Sequence, residues 1–538
     1  MAIEVLNNQT EKIKGALSDT VFRRLWIGSV AINLSLWIQS VTAAWLMVSY
    51  NASPLMVALI QTASALPSFL FALPSGVMAD LMERRRYLLI ILGIMICFAI
   101  ALPLCALLGI LGPWLLLLFT FASGAVFALQ GPAWFSAQND VVPRAMLPSA
   151  MALTAVSYNV ARAIGPALAG AAISGFGVIW VFGLNVILVG IGVGVLLLWK
   201  SQRRVNHLPA ENLASGIASA VRYARHSPVM RRQIGRTILF VCVASSLWSL
   251  MPLIAARQLT GGANGYGFLL ASIGAGAVSG ALLQPYLKKR FEMNLMMAVC
   301  CAFYGAVCIV TSVTTNLPLL CFTMFCGGIA WIGVGNTNML ALQSAMPPWI
   351  RARSLAIYMM VFQGAMALGS ALWGMVANQT GVAAALAISG ALMLPVMLAM
   401  NRMPARPGAD SEATEGVMPD DQSVLINEYT LLVPDNTAVA VEITYHVRPE
   451  LRDEFLRQLH LIGSVRRRDG ASYWRAYRHL ERVDCYVERF IVSSWAQYLR
   501  QRSRATLADQ EAEQRLWSMH DGIEAPRVAH FVAATHPD

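Results

Sequence analysis

The chain is 538 residues long, 57% of them hydrophobic and only 13% charged, with a formal net charge of +11. Such a balance cannot cover a water-soluble surface, so most of the length must face lipid or other buried helices. Before residue 400 the basic residues cluster in short connectors, a pattern of membrane topology that argues against a nucleic-acid partner and for membrane lipid.

Residues 1–21 are polar, carry acids through Asp19 and lack a cleavable signal pattern, so a cytoplasmic tail is expected and the first span itself directs insertion. Twelve apolar runs follow, at 22–49, 55–78, 87–109, 113–138, 147–174, 178–199, 235–258, 265–287, 294–314, 317–342, 352–377 and 382–401. Each is long enough to cross a hydrocarbon core of ~30 Å, and none shows period-two alternation, so the expected fold is all-α: twelve transmembrane helices in two six-helix halves, 22–199 and 235–401. Between the halves, 200–234 reads as a basic cytoplasmic linker with an amphipathic segment near Leu213 to Tyr223, suited to lie on anionic headgroups.

Basic residues fall at alternate connectors: Arg23, Arg84, Arg85, Arg86, Arg144, Lys288, Lys289, Arg290, Arg351 and Arg353, with the cluster Lys200 to Arg236. The opposite connectors, around Asn51, Gly112, Gly177, Asn316 and Gln379, carry none, and Arg257 alone breaks the pattern. The positive-inside rule then puts both termini in the cytoplasm. The halves also echo one another. At a constant offset of 204 residues, Gly76 falls on Gly280, Gly131 on Gly335, Pro143 on Pro347, Gly165 on Gly369 and Gly170 on Gly374. Two pseudo-symmetric parallel repeats are the simple explanation.

Composition changes after Met403. Residues 402–436 are rich in Pro, Gly and acids and read as a disordered linker. From 437 to 538 a small soluble domain is expected. Val439, Val441, Ile443 and Tyr445 alternate with polar neighbours as a strand, and Leu451, Phe455, Leu459 and Ile462 share a helix face. Strands near 472–479 and 484–493, one helix over 495–519 and a strand from Arg527 to Thr535 complete a βαββαβ ferredoxin-like order. The run Arg466 to Arg468 reads as a basic tip, by default a solvated loop, with contact to lipid headgroups as the alternative.

The segment GVMADLMERRR, Gly76 to Arg86, resembles the loop signature of the major facilitator superfamily, and Gly165-Pro166 with Gly170 resembles the fifth-span motif of its exporters. The run from Gly131 to Gly170, with the tail segments SWAQYLRQRSRATLADQ and VAHFVAA, is similar to the branch of enterobactin exporters and transmembrane secretion effectors. This resemblance implies alternating access, a bacterial inner-membrane location, and gating roles for Gly76, Asp80, Arg84, Arg85, Asp140, Gly165, Pro166 and Gly170. Asp80 would meet a helix N-terminus of the other half, and Arg84 would pair with Asp140. Two positions depart from the signature, Leu81 and Glu83, and the echo has Gln284 in place of the aspartate. The tail resembles small monooxygenase-like α+β domains that pair as dimers, so dimerisation through it is an expectation.

Between residues 20 and 400 the acids are Asp80, Glu83, Asp140, Glu211 and Glu292, all at or beyond span ends. A proton-coupled carrier usually keeps an ionisable group inside the bilayer; coupling to protons is therefore implied by resemblance without an evident carrier, and no cofactor is expected. Arg162 is the exception within a span. It reads either as a cation facing a central cavity, for an anionic or catechol-like cargo or a gate, or as a structural arginine bonding the backbone freed by Pro166. Asn33, Trp37, Gln39, Tyr158, Asn159, Trp248, Asn336 and Gln363 join it as cavity candidates, each equally suited to a helix–helix hydrogen bond or a lipid-interface anchor. Eight of nine cysteines lie in apolar runs without a CxxC pair, and the tail histidines are scattered, so neither a disulfide framework nor a metal site is indicated. The expected function is export of small organic molecules, siderophore- or drug-like. The alternatives are import by the same fold, or a membrane-moored oxygenase-like or regulatory tail as the active part.

Overall fold

The computed structural model describes residues 17–143, 146–199, 221–258, 262–288, 290–403, 437–503, 505–522 and 524–532. Among the described residues up to 403 there are twelve long helices: α1 Thr20–Ser49, α2 Pro54–Leu81, α3 Arg84–Leu107, α4 Pro113–Asp140, α5 Leu147–Phe176, α6 Val178–Leu198, α7 Pro228–Gln258, α8 Gly262–Lys288, α9 Met293–Val313, α10 Leu317–Ala345, α11 Pro348–Thr380 and α12 Val382–Asn401. Their starts follow local chemistry. The Asp19 carboxylate accepts from the backbone N–H groups of Val21 and Phe22, both at 2.8 Å, and caps α1. Ser53 caps α2 ahead of Pro54, and Pro113 opens α4, where a missing N–H costs nothing. Eleven of the twelve are long and apolar enough to cross a membrane. The other is α5, the helix that carries Asn159, Arg162 and Pro166.

Packing inside the bundle accounts for two pairs of the glycine echo, Gly165 with Gly369 and Gly170 with Gly374, whereas Gly131 and Gly335 have nothing within 4 Å of an added Cβ. Gly165 on α5 lies against Trp37 of α1, where an added Cβ would sit 2.9 Å from the Trp37 Cβ. Its counterpart Gly369 on α11 lies against Cys242 and Ser245 of α7. Gly170 brings α5 onto the backbone of α8 at Ala263 and Gly267, and Gly374 brings α11 onto Leu55 and Ala58 of α2. Each repeat therefore makes the same two helix contacts, one within its half and one across to the other. In lipid, where apolar burial gives no drive, such close backbone approach is what holds helices together. The tightest approach is between α8 and α10, where Gly276 and Gly328 face each other's helices and a methyl on Gly276 would run into the Phe325 carbonyl. Gly276→Ala is expected to cost about 1–3 kcal/mol, read as a lower thermal midpoint and a reduced monodisperse yield in detergent.

Beyond the bundle, a second compact unit contains the tail together with the chain around Tyr223 and residues 339–357. The tail runs β1 Val439–His446, α13 Arg452–Asp469, β2 Tyr473–Arg478, β3 Cys485–Val492, α14 Trp495–Ser503, α15 Leu507–Trp517 and β4 Arg527–Val532. All sheet pairs are antiparallel and the strand order is β2-β3-β1-β4, the ferredoxin-like arrangement. One expectation needs correction: the single helix over 495–519 is two. The break falls at Thr506, whose hydroxyl accepts from the Asp509 N–H at 3.2 Å while Asp509 accepts from the Thr506 N–H at 3.0 Å, a capping box that starts a new helix. The basic tip is also not free. Arg466 is buried against Glu513 and Glu488, and Arg468 pairs with Asp469 and Asp509. Arg468 also lies 5.6 Å over the ring of Tyr223, which is 4% exposed and whose phenol burial pushes up to about 12. The N-terminal tail through residue 16, the start of the amphipathic segment and the linker 404–436 lie outside the described residues.

Candidate substrate cavity

Five helices from both halves meet around a small enclosed cavity of about 10 Å³, room for roughly one water. Trp37 comes from α1, Arg162 and Pro166 from α5, Trp248 from α7, Ile273 and Gly274 from α8, and Trp331 from α10. Gly274 allows α8 to close on α5, since a Cβ there would sit 3.1 Å from the Ala163 Cα. Trp331 is the hub of the second-half wall, with ring centroids at 5.5 Å from Trp248, 5.7 Å from Phe240, and 6.0 Å from Tyr304 and Phe362. On the facing wall Trp37 meets Tyr158 edge-on at 6.4 Å.

The chemistry of this lining is one-sided. The indole N–H groups of Trp37 and Trp248 are buried and have no acceptor among the described residues. No carboxylate or hydrogen-bond acceptor among them pairs with Arg162 either. The cavity thus gathers three donors, one cationic, with no acceptor for them among the described residues, within aromatic walls. Orphaned buried donors are costly and rare, so a cluster of them calls for a reason.

The sequence matches the family described as "Transmembrane secretion effector" over residues 14–538, tail included. The chain belongs to this family. Among relatives of these secretion effectors, the enterobactin exporter EntS of Salmonella choleraesuis is 26% identical over 427 residues, covering 75% of this chain and 99% of the relative. The staphyloferrin A transporter of Staphylococcus aureus is 20% identical, covering 68% and 89%. Among solved structures, the nucleoside transporter NupG aligns at a TM-score of 0.54 with 14% identity, over 71% of this chain and 99% of that one. A bacterial homologue of the human lysosomal transporter Spinster aligns at 0.55 with 16% identity, over 72% and 95%. The bundle therefore has the major facilitator fold, and the chain is a multi-pass membrane transporter rather than an enzyme.

Within this secretion-effector bundle the polar candidates divide. Trp37, Arg162 and Trp248 line the cavity. Tyr158 stands beside it against Trp37, 39% exposed, and Asn159 is exposed on the same helix. Three amides are instead committed to helix–helix bonds. Asn33 donates to Ser157 at 3.0 Å, tying α1 to α5. Gln39 donates to Ser123 at 2.7 Å and accepts from Asn185 at 3.1 Å, joining α1, α4 and α6. Asn336 donates to Gln284 at 3.2 Å, and Gln284 donates to Thr337 at 3.1 Å, tying α8 to α10. The echo of the loop aspartate thus serves as a clamp between neighbouring helices. Gln363 is half-buried next to Phe362 and is not part of the lining. Trp331 was not singled out from sequence, because a tryptophan between glycines in an apolar run looks like any packing residue.

Of the gating candidates, Gly165, Pro166 and Gly170 sit where α5 meets α1 and α8. Arg85 bonds the free end of α6, donating to the Leu197 carbonyl at 3.0 Å and the Leu196 carbonyl at 3.3 Å, a cationic cap on a helix C-terminus. Arg84 opens α3. The surroundings of Gly76 and the side chains of Asp80 and Asp140 lie outside the described residues. Among the described residues no group of His, Cys, Asp and Glu has the grouping of a metal site.

Proposed function

We propose that the chain is a secondary active transporter that exports small, partly aromatic organic molecules of siderophore or drug type across the bacterial inner membrane by alternating access. The observation that carries this reading is the cavity between the halves, where Arg162 and two unsatisfied indole donors face aromatic walls. A cargo rich in acceptor oxygens, carboxylate or catecholate, on aromatic rings supplies what those donors lack. In a desolvated site each charge-assisted bond to such an oxygen is worth about 1.5–3 kcal/mol.

The state of the bundle fits one step of such a cycle. The close approaches between halves, Gly170 on Ala263 and Gly374 on Ala58, and the Thr62 hydroxyl donating to the Ala367 carbonyl at 2.9 Å, lie toward the end that carries Asn51 and Gly177. With basic connectors inside, that end is periplasmic and both termini are cytoplasmic. The bundle is then closed toward the periplasm, as alternating access requires before cargo enters from the cytoplasm. The similarity to an enterobactin exporter supports the outward direction of transport.

Everted inner-membrane vesicles test this. Vesicles holding the protein should accumulate a tritiated catechol siderophore when energised, and a protonophore should stop accumulation. Equal accumulation in vesicles lacking the protein removes the export reading. Uptake by right-side-out cells instead makes the chain an importer.

A further inference from the structure

The tail holds a second cavity, of about 470 Å³, between one stripe of α13 and the edge strand β2. We propose that it is a binding site for a small anionic aromatic molecule, one bearing carboxylate or phosphate on or beside a ring. Its volume is in the range of small-molecule sites and too small for a polymer track. Four arginines line it, Arg452 and Arg467 from the helix and Arg475 and Arg478 from the strand, the Arg475 guanidinium lying 5.7 Å over the Tyr473 ring at the sheet edge. The helix pair shares a face because residues 452, 456, 460 and 467 recur at helical spacing.

The four share a lack of counter-charge at one place; Arg482 and Arg527 also have no salt bridge among the described residues but do not line the cavity. The tail is dense with ion pairs, and Arg448, Arg457, Arg466, Arg468, Arg489 and Arg515 all have acidic partners. None of the four cavity arginines pairs with a described carboxylate. No acidic side chain lines the cavity either. Like charges facing one cavity repel unless an anion sits among them, and a guanidinium fork matches carboxylate and phosphate oxygens two at a time.

The floor and rim are aromatic. Trp474, 7% exposed, carries Arg467 at 5.1 Å over its ring and His460 edge-on at 5.5 Å. Tyr477 on the rim is 42% exposed and offers a face for stacking. Trp474 is itself fixed, its indole N–H donating to Glu488 at 2.8 Å, so the floor exists before any ligand arrives. Preorganised rings flanked by unpaired guanidiniums fit a ring acid better than either a bare ion or an aliphatic acid.

The test uses the full chain in phosphatidylcholine nanodiscs, titrated calorimetrically with 2,3-dihydroxybenzoate, cyclohexanecarboxylate and inorganic phosphate. The aromatic acid should bind saturably and more tightly than the other two. Arg475→Ala with Arg478→Ala should weaken it about tenfold or more, and Arg452→Gln, on the opposite wall, should weaken it as well. Arg162→Ala should leave this binding in place, which separates it from the cavity between the halves. No saturable binding, or binding unchanged in both sets of variants while the tail resists protease normally, overturns the proposal. So does a preference reversed in favour of lipid: if the tail is protected only in phosphatidylglycerol nanodiscs and 2,3-dihydroxybenzoate does not bind, the arginines are a headgroup contact.

Discussion

Replacing Arg162 with alanine is expected to lower export ten- to a hundredfold with the protein still present at its normal level in the membrane. The size follows from losing one charge-assisted bond to cargo, about 1.5–3 kcal/mol. The preserved level follows from a different consideration. A charged side chain inside a bilayer is itself costly, about 2.5–3.5 kcal/mol on insertion scales. Removing it relieves that cost unless the arginine holds the protein together. It does not hold the backbone opened by Pro166: that proline leaves the Arg162 carbonyl, four residues back, without its amide partner, yet the Arg162 side chain has no hydrogen bond among the described residues. Arg162→Lys keeps the charge and loses the fork, and is expected to retain part of the activity. Transport in everted vesicles against an immunoblot of the same membranes reads both quantities. Unchanged export removes Arg162 from the cargo site, and a parallel fall of export and protein level makes it structural.

Arg466→Ala is expected to unfold the tail while sparing the bundle. Arg466 lies between two buried acids, with Nη2 2.7 Å from Glu513 and Nε 3.5 Å from Glu488, the latter an ion contact too long for a good hydrogen bond. Its guanidinium also sits 5.1 Å over Phe490. Burial pulls its pKa down, but Glu513 and Glu488 more than offset that and hold it above the ordinary arginine value. Glu488, fully buried, accepts in addition from Trp474 and from the Tyr445 hydroxyl at 3.2 Å, so it cannot turn away to solvent. Removing the cation leaves two carboxylates in the core, a loss of about 3–5 kcal/mol, a large share of the stability of a domain this size. Limited proteolysis of the full chain in detergent should release the tail and leave a membrane-embedded fragment. Adding Glu513→Gln to the variant should restore part of the resistance, because one stranded charge is then gone. A tail that stays intact in Arg466→Ala shows that the acids find other partners.

The twelve helices were legible because lipid demands long uninterrupted apolar runs, and the observed ends fall close to the expected ones, α4 running two residues beyond 138 and α7 starting seven before 235. The duplication was legible for a related reason. Where two helices approach so closely that a Cβ has no room, glycine is required, so Gly165, Gly170, Gly369 and Gly374 recorded the contacts themselves. Amides were ambiguous, since Asn33 and Gln39 look in sequence like any residue facing a cavity; only their partners Ser157, Ser123 and Asn185, more than 80 positions away, reveal helix clamps. The run Arg466 to Arg468 misled for a sharper reason. Three identical charges in a row are turned about 100° apart by a helix. One goes into the core with Phe455, Leu459 and Ile462, one over Trp474, and one to Asp469 and Asp509. A sequence shows the run as one patch, and the helix makes three environments of it.

The seam between α5 and α8 has a mechanical meaning. At Gly170, Gly267 and Gly274 it is backbone against backbone, with an imagined Cβ on Gly267 only 3.0 Å from the Pro166 carbonyl. Such a seam has no interlocked knobs that must lift before one rod rolls over the other. In the alternating-access cycle proposed above, it would serve as a bearing between the halves. A single leucine at Gly267 would turn that bearing into a ratchet tooth.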